Sequence, residues 1–124
     1  MYLIFSHSLS EEQKQEAIEE YGVKEFKYLP NKLQFLWSNI SPYQESVEED
    51  IRMILCYIEK IACKEDIILV QGDYGSTYYL VSRLIQKGYI CIYSTSHRVS
   101  SEENIGKTVI KTSKFSHIRF RRYI

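Results

Sequence analysis

The segment Ile67-Ile-Leu-Val-Gln-Gly-Asp-Tyr-Gly-Ser-Thr-Tyr-Tyr79 limits the possible folds more than any other part of this chain. An apolar run bounded by turn residues reads as a strand buried on both faces, as in a parallel sheet with helices on either side. The run stops at Gly72-Asp73-Tyr74-Gly75 and restarts as a helical pattern over residues 76–87, closed by Gly88. Gly72 and Gly75 permit positive φ and close backbone approach, and Ser76 or Thr77 can cap the helix. Unpaired N–H groups at the positive end of a helix dipole favour a phosphate or another anion. Open α/β sheets also bind ligands beyond the carboxyl ends of their strands. The loop is neither a Walker A sequence nor the G-x-G-x-x-G fingerprint. Asp73 opposes a phosphate unless it accepts a hydrogen bond from a sugar hydroxyl or a loop amide. A tight strand-to-helix turn without a ligand accounts for the same residues.

The flanking sequence supplies the rest of an α/β sandwich. Residues 2–6 read as a short strand, and Ser10-Glu-Glu-Gln13 is a capping box opening a helix to Tyr21 with Gly22 as its C-cap. A weak strand is expected over residues 25–28, then a helical turn introduced by Pro30 and carrying Leu33, Leu36 and Trp37. Residues 46–62 place Val47, Ile51, Ile54, Leu55 and Ile58 on one helical stripe, with Glu48, Glu49 and Asp50 complementing the dipole of the first turn. Residues 89–93 form the next strand, so the central unit is a right-handed β-α-β crossover. Beyond it the pattern alternates, with a turn expected at residues 103–106 and hairpin-type strands over 108–112 and 116–123. The expected fold is a single Rossmann-like domain, a mostly parallel sheet flanked by helices with a C-terminal β-hairpin extension.

The formal net charge of the 124 residues is zero, but it is unevenly spread. Residues 1–73 carry 7 basic and 14 acidic side chains, residues 74–124 carry 9 and 2. Neutrality argues against a protein that coats long nucleic acid, which relies on excess basic charge to displace counterions. A small enclosed anion suits it better. Cys56, Cys63 and Cys91 lack C-x-x-C spacing, so neither a zinc site nor a disulfide framework is expected, and their apolar neighbours suggest buried thiols. No apolar stretch approaches the ~20 residues that span a bilayer, and no basic leader opens the chain, so a cytoplasmic protein without membrane contact is expected.

Three strand ends should converge at one edge of the sheet. They are Ser6-His7-Ser8, the 72–77 loop, and Ser94-Thr95-Ser96-His97-Arg98. Hydroxyls, imidazoles, Asp73 and Arg98 around a helix terminus suit a nucleotide or phosphodiester. His117, within a strand and without a metal-site partner at recognised spacing, reads as structural. Alternation places Arg119 and Arg121 on one face of the last strand, where they either hold part of a nucleotide or guard an edge. Among the eleven tyrosines, Tyr74 alone sits where a ligand would meet it.

Met1-Tyr-Leu-Ile-Phe-Ser-His7, Tyr28-Leu-Pro30, Leu36-Trp-Ser-Asn-Ile40, Val70-Gln-Gly-Asp-Tyr-Gly-Ser-Thr-Tyr78, Ile92-Tyr-Ser-Thr95 and Phe115-x-His-x-Arg-Phe-Arg-x-Tyr123 together resemble the Csx-twenty family of type III CRISPR-associated accessory proteins. The resemblance implies a CARF-type Rossmann fold and a ring nuclease that binds a cyclic oligoadenylate messenger and cuts it to end antiviral signalling. Cyclic tetra-adenylate has approximate two-fold symmetry, which suits a homodimer presenting two copies of the 72–77 loop. Cleavage of such a ring proceeds without metal, by in-line attack of the ribose 2′-hydroxyl, and yields a 2′,3′-cyclic phosphate. Under this reading Ser6, Gly72, Tyr74, Gly75, Ser76, Thr77, Ser94 and Thr95 bind the ligand. Loop amides, Ser76, Thr77 and Arg98 stabilise developing charge, and Asp73 or His7 orients or deprotonates the hydroxyl. The alternative is a binding module that sequesters or senses the same messenger.

Overall fold

The computed structural model describes residues 1–124. In chain order the elements are β1 (Tyr2–Ile4), α1 (Glu11–Tyr21), β2 (Lys27–Tyr28), α2 (Asn31–Ser38), α3 (Glu48–Ile61), β3 (Ile67–Val70), α4 (Tyr74–Gln86), β4 (Ile90–Ile105) and β5 (Thr108–Arg122). The sheet order is β2-β1-β3-β4-β5, parallel throughout except for the antiparallel β4–β5 pair. This is a Rossmann-like α/β fold with C-terminal antiparallel strands.

Alternation within the short parallel strands divides the core in two. Tyr2, Ile4, Ile68 and Val70 point to the face covered by Ile51, Ile54 and Ile58 of α3 and Leu80 and Leu84 of α4. Leu3, Leu69 and Ile92 point to the other face, where Ala17 of α1 and Phe120 of β5 meet them. Burial on both faces is why β1 and β3 read as unbroken apolar runs. The α1 capping box forms as expected, Ser10 Oγ accepting from Gln13 N and Gln13 Oε1 from Ser10 N. Gly22 closes the helix at φ +66°.

Several boundaries differ from the sequence reading. β4 does not stop at Tyr93 but continues to Ile105, because every residue beyond it finds a partner on β5. The turn is the two-residue loop Gly106-Lys107, with Gly106 at φ +63°, a conformation glycine adopts at no steric cost. Residues 108–122 form one continuous strand, not two. The result is a long two-stranded ribbon whose residues 96–116 are all exposed. Burial of a large apolar side chain contributes about 1.5–3 kcal/mol, so stability resides in the body of the sheet and the ribbon adds little by itself. Cys56 and Cys63 are exposed, because Cys56 falls off the buried stripe of α3 that holds Ile54, Leu55 and Ile58, and Cys63 lies in the loop beyond that helix. Only Cys91, on the central sheet, is buried. No helix is long and apolar enough to cross a membrane.

Candidate functional site

The strand order reverses between β1 and β3, and a crevice outside their carboxyl ends is where open α/β sheets take ligands. A cleft of about 580 Å³ opens there. His7 and Ser8 follow β1, Gln71 follows β3, Ser94 and Ser96 come from β4, and Lys114, Ser116 and His117 from β5, with Ser10 and Gln13 from the start of α1. Gln71 is the keystone. Its side chain accepts from Ser94 N at 2.8 Å, its carbonyl accepts from Trp37 Nε1 at 3.0 Å, and its N–H donates to Ile4 O. His7 stands edge-on to Phe5 at 5.4 Å, and the Phe5 carbonyl is held by Gln34.

At the floor of the cleft three side chains form a chain of hydrogen bonds. Ser94 Oγ lies 2.5 Å from His117 Nδ1, and His117 Nε2 lies 2.9 Å from Glu16 Oε1. The other Glu16 oxygen accepts from Phe120 N at 2.6 Å, and Gln13 Nε2 donates to Ser94 Oγ at 3.2 Å. The His117 side chain is 5% exposed and that of Glu16 18%. A register shift between Thr95 and Ser96 pairs Thr95 with Arg119 but Ser96 with His117, leaving Ile118 unpaired. Such a bulge re-aims side chains. Without it His117 would share a face with Arg119 and Arg121. With it, His117 stacks at 4.8 Å on Phe120 and faces α1. Thr95 Oγ1 fills the gap in the ladder, donating to Arg119 O and accepting from Arg119 N.

The expected constellation is therefore divided. His7 and Ser94 line the cleft, whereas Gly72, Tyr74 and Thr77 line a separate groove of about 480 Å³ on the opposite face of the sheet, with Tyr78, Tyr93 and Tyr123. Tyr123 donates to Val70 O, and burial pushes its phenol up to about 12. Ser6 pairs with Ser38 Oγ outside the cleft, and Thr95 serves the bulge. Arg98 lies out on the ribbon, bonded to Ser113 and stacked over Phe115, and lines neither cavity. The continuation of β4 carries it away from the strand end where the sequence placed it.

The 72–77 loop also differs from expectation. Neither Gly72 nor Gly75 has positive φ. Asp73, not Ser76 or Thr77, is the N-cap, and α4 starts two residues earlier than the sequence suggested. One Asp73 oxygen accepts from both Ser76 N and Ser76 Oγ, at 3.0 and 2.9 Å. A carboxylate thus already occupies the positive end of α4, where a phosphate was anticipated. Gly72 is needed for close approach alone, since a Cβ there would meet the Trp37 ring at 2.7 Å. Gln13 reads only as the closing residue of the capping box and His117 only as a strand histidine, and no motif marks Glu16. The available signal was polar side chains at 13 and 16, on the stripe of α1 that also holds the buried Ala17.

A doubly wound sheet with a polar cleft at its switch point defines a Rossmann-like α/β protein. Residues 1–121 match the family model described as the uncharacterized protein MJ1673 family, and the chain belongs to that family. It is 42% identical over 123 residues to "Uncharacterized protein MJ1673" of Methanocaldococcus jannaschii, covering 99% of this chain and 95% of that one. No solved structure matches.

Proposed function

We propose that the protein is a ring nuclease of the Csx-twenty type, which binds a cyclic oligoadenylate, with cyclic tetra-adenylate favoured, and opens it by metal-independent attack of a ribose 2′-hydroxyl. The carrying observation is the switch-point cleft, in which hydroxyls, two glutamines, Glu12, His7, His117 and Lys114 surround a space of about 580 Å³. That volume lies within the ~300–1,000 Å³ range of sites for single small ligands. A four-nucleotide ring exceeds it, so two copies of the cleft would share one ring across a homodimer axis. The exposed ribbon supports that arrangement. It carries Val99, Ile105, Val109, Ile110, Phe115 and Ile118 uncovered, and a two-stranded ribbon needs a partner surface to be stable. A cytoplasmic site of action, within type III CRISPR signalling, completes this reading.

In this reading Lys114 and the hydroxyls of Ser8, Ser10, Ser96 and Ser116 hold phosphate and ribose, and Gln13 and Gln71 fix the floor of the cleft. Holding the 2′-oxygen in line with the scissile bond supplies much of the acceleration. The test is chromatography of cyclic tri-, tetra- and hexa-adenylate after incubation with the protein and EDTA, alongside light scattering. Linear products ending in a 2′,3′-cyclic phosphate, and a dimer at micromolar concentration, are expected. Intact ligand eluting with the protein would make it a binding protein. No binding of any of the three rings would end the reading.

A further inference from the structure

We infer that Glu16, His117 and Ser94 form a proton relay that makes the Ser94 hydroxyl the base of the cleft; as a step in ring cleavage, this rests on the function proposed above. The geometry sets the direction of transfer. A carboxylate only accepts hydrogen bonds, so the Glu16 contact places the imidazole proton on Nε2 and leaves the Nδ1 lone pair facing Ser94. Phe120 N–H secures the second Glu16 oxygen, so the carboxylate cannot swing away without leaving a buried donor unpaired. Ser94 Oγ gives its one proton to Nδ1 at 2.5 Å in preference to Thr95 O at 3.4 Å, accepts from Gln13 Nε2, and lines the cleft. The three residues come from α1, β4 and β5, and only the bulge brings His117 to the others. This is the arrangement by which a hydroxyl is activated through an oriented imidazole.

In the step itself, the 2′-oxygen attacks the adjacent phosphorus and passes its proton to Ser94 Oγ as the Ser94 proton moves to His117 Nδ1. The P–O2′ bond forms and the P–O5′ bond breaks. The proton then returns through water in the cleft to the departing 5′-oxygen. Product and reactant are isomers, with no water consumed and no change of oxidation state. Ser94 is the catalytic residue, and His117 and Glu16 are positioning residues acting through it.

Two substitutions and an independent probe test the relay. Ser94→Ala removes the hydroxyl. Glu16→Gln can keep the bond to Phe120 N only by turning its amide N–H toward Nε2, which forces the imidazole proton to Nδ1 and disables the base. Single-turnover cleavage of cyclic tetra-adenylate should fall by roughly 10²-fold or more in both, the scale of general-base contributions, while the Kd stays within about threefold. Imidazole ¹⁵N spectra should show Nε2–H in the parent and Nδ1–H in Glu16→Gln, a change that a merely structural role would not produce. Diisopropyl fluorophosphate should label Ser94 in the parent but not in Glu16→Gln, the Oγ–P bond forming as fluoride leaves and His117 takes the proton. A parent that cleaves the ring while Ser94→Ala cleaves at the same rate overturns the relay and spares the ring-nuclease reading. A parent that leaves every ring intact yet labels at Ser94 in a Glu16-dependent way overturns that reading and supports the relay. Absence of both labelling and cleavage overturns both.

Discussion

The two glycines of the strand-to-helix loop should respond oppositely to alanine. A Cβ on Gly72 would lie 2.7 Å from Cζ2 and 2.8 Å from Cε2 and Nε1 of Trp37. The indole cannot give way cheaply, because it is 2% exposed and its Nε1 donates to Gln71 O at 3.0 Å. Overpacking of a filled core costs about 1–3 kcal/mol, and relief by moving the ring would forfeit a hydrogen bond of about 0.5–1.5 kcal/mol. The φ of Gly72 lies outside the left-handed region, so the penalty is steric alone. Gly75 lies in the first turn of α4, and its Cβ would meet nothing closer than Asp73 Oδ2 at 3.7 Å. Alanine there should stabilise by roughly 0.5–1 kcal/mol through helix propensity. A chain of this length shifts its Tm by about 3–5 °C per kcal/mol, so thermal unfolding followed by circular dichroism should place Gly72→Ala about 3–15 °C below the parent and Gly75→Ala slightly above it. A Tm for Gly72→Ala at or above that of the parent would refute the close-approach argument. Loss of stability in Gly75→Ala would refute the assignment of the helix start.

Asp73→Ala should lower stability by about 0.5–2 kcal/mol in denaturant titration, the usual loss of an N-cap, whereas Asp73→Asn should stay within a few tenths and, under the proposed function, keep ring turnover within a few-fold; under the same proposal a 10²-fold loss of turnover in a stable Asp73→Asn protein would make Asp73 a catalytic group. A thiol-disulfide dye at pH 8 should titrate Cys56 and Cys63 quickly and Cys91 only on unfolding, since burial pushes the Cys91 thiol up to about 12 while the other two are exposed. Because that folded value is raised above the ordinary value of 9.0, the contribution of Cys91 to stability is complete below pH 9 and is lost as pH rises from 9 toward 12. Urea midpoints across that range should therefore fall less steeply in Cys91→Ala than in the parent.

Much of the fold is legible in the sequence because local and tertiary signals coincide. The capping box at Ser10, Gly22 in the left-handed region, the stripe of Ile51, Ile54, Leu55 and Ile58, and the apolar runs of β1 and β3 each demand the environment they receive. Where the reading failed, a competing local preference prevailed. Asp73 outcompeted Ser76 as N-cap because its carboxylate complements the helix dipole more strongly than a hydroxyl does. The polar residues 94–98 read as a loop, yet cross-strand pairing with β5 carries them on as strand, since a ribbon exposed on both faces requires no apolar alternation.

The cleft was less legible for a related reason. His7, Ser94 and the carboxyl-end location follow from the parallel topology, which any β-α-β reading implies. His117 does not, because period-two alternation assigns it to the face opposite Phe120, and one unpaired residue reverses that assignment for the strand beyond it. Nothing in the residues from Phe115 to Phe120 marks Ile118 as the extra one. The compensation is visible only in three dimensions, where Thr95 Oγ1 takes over both Arg119 ladder positions. Glu16 depends on the same event. On α1 it sits beside the buried Ala17 without a partner in the local sequence, and only a bulge that swings an imidazole and the Phe120 amide toward it turns it into a half-buried anchor. The bulge is thus the feature on which the hydrogen-bond chain of the cleft depends. Changes that restore regular pairing through residue 118 would move His117 away from Ser94 while leaving the sheet and both apolar cores in place.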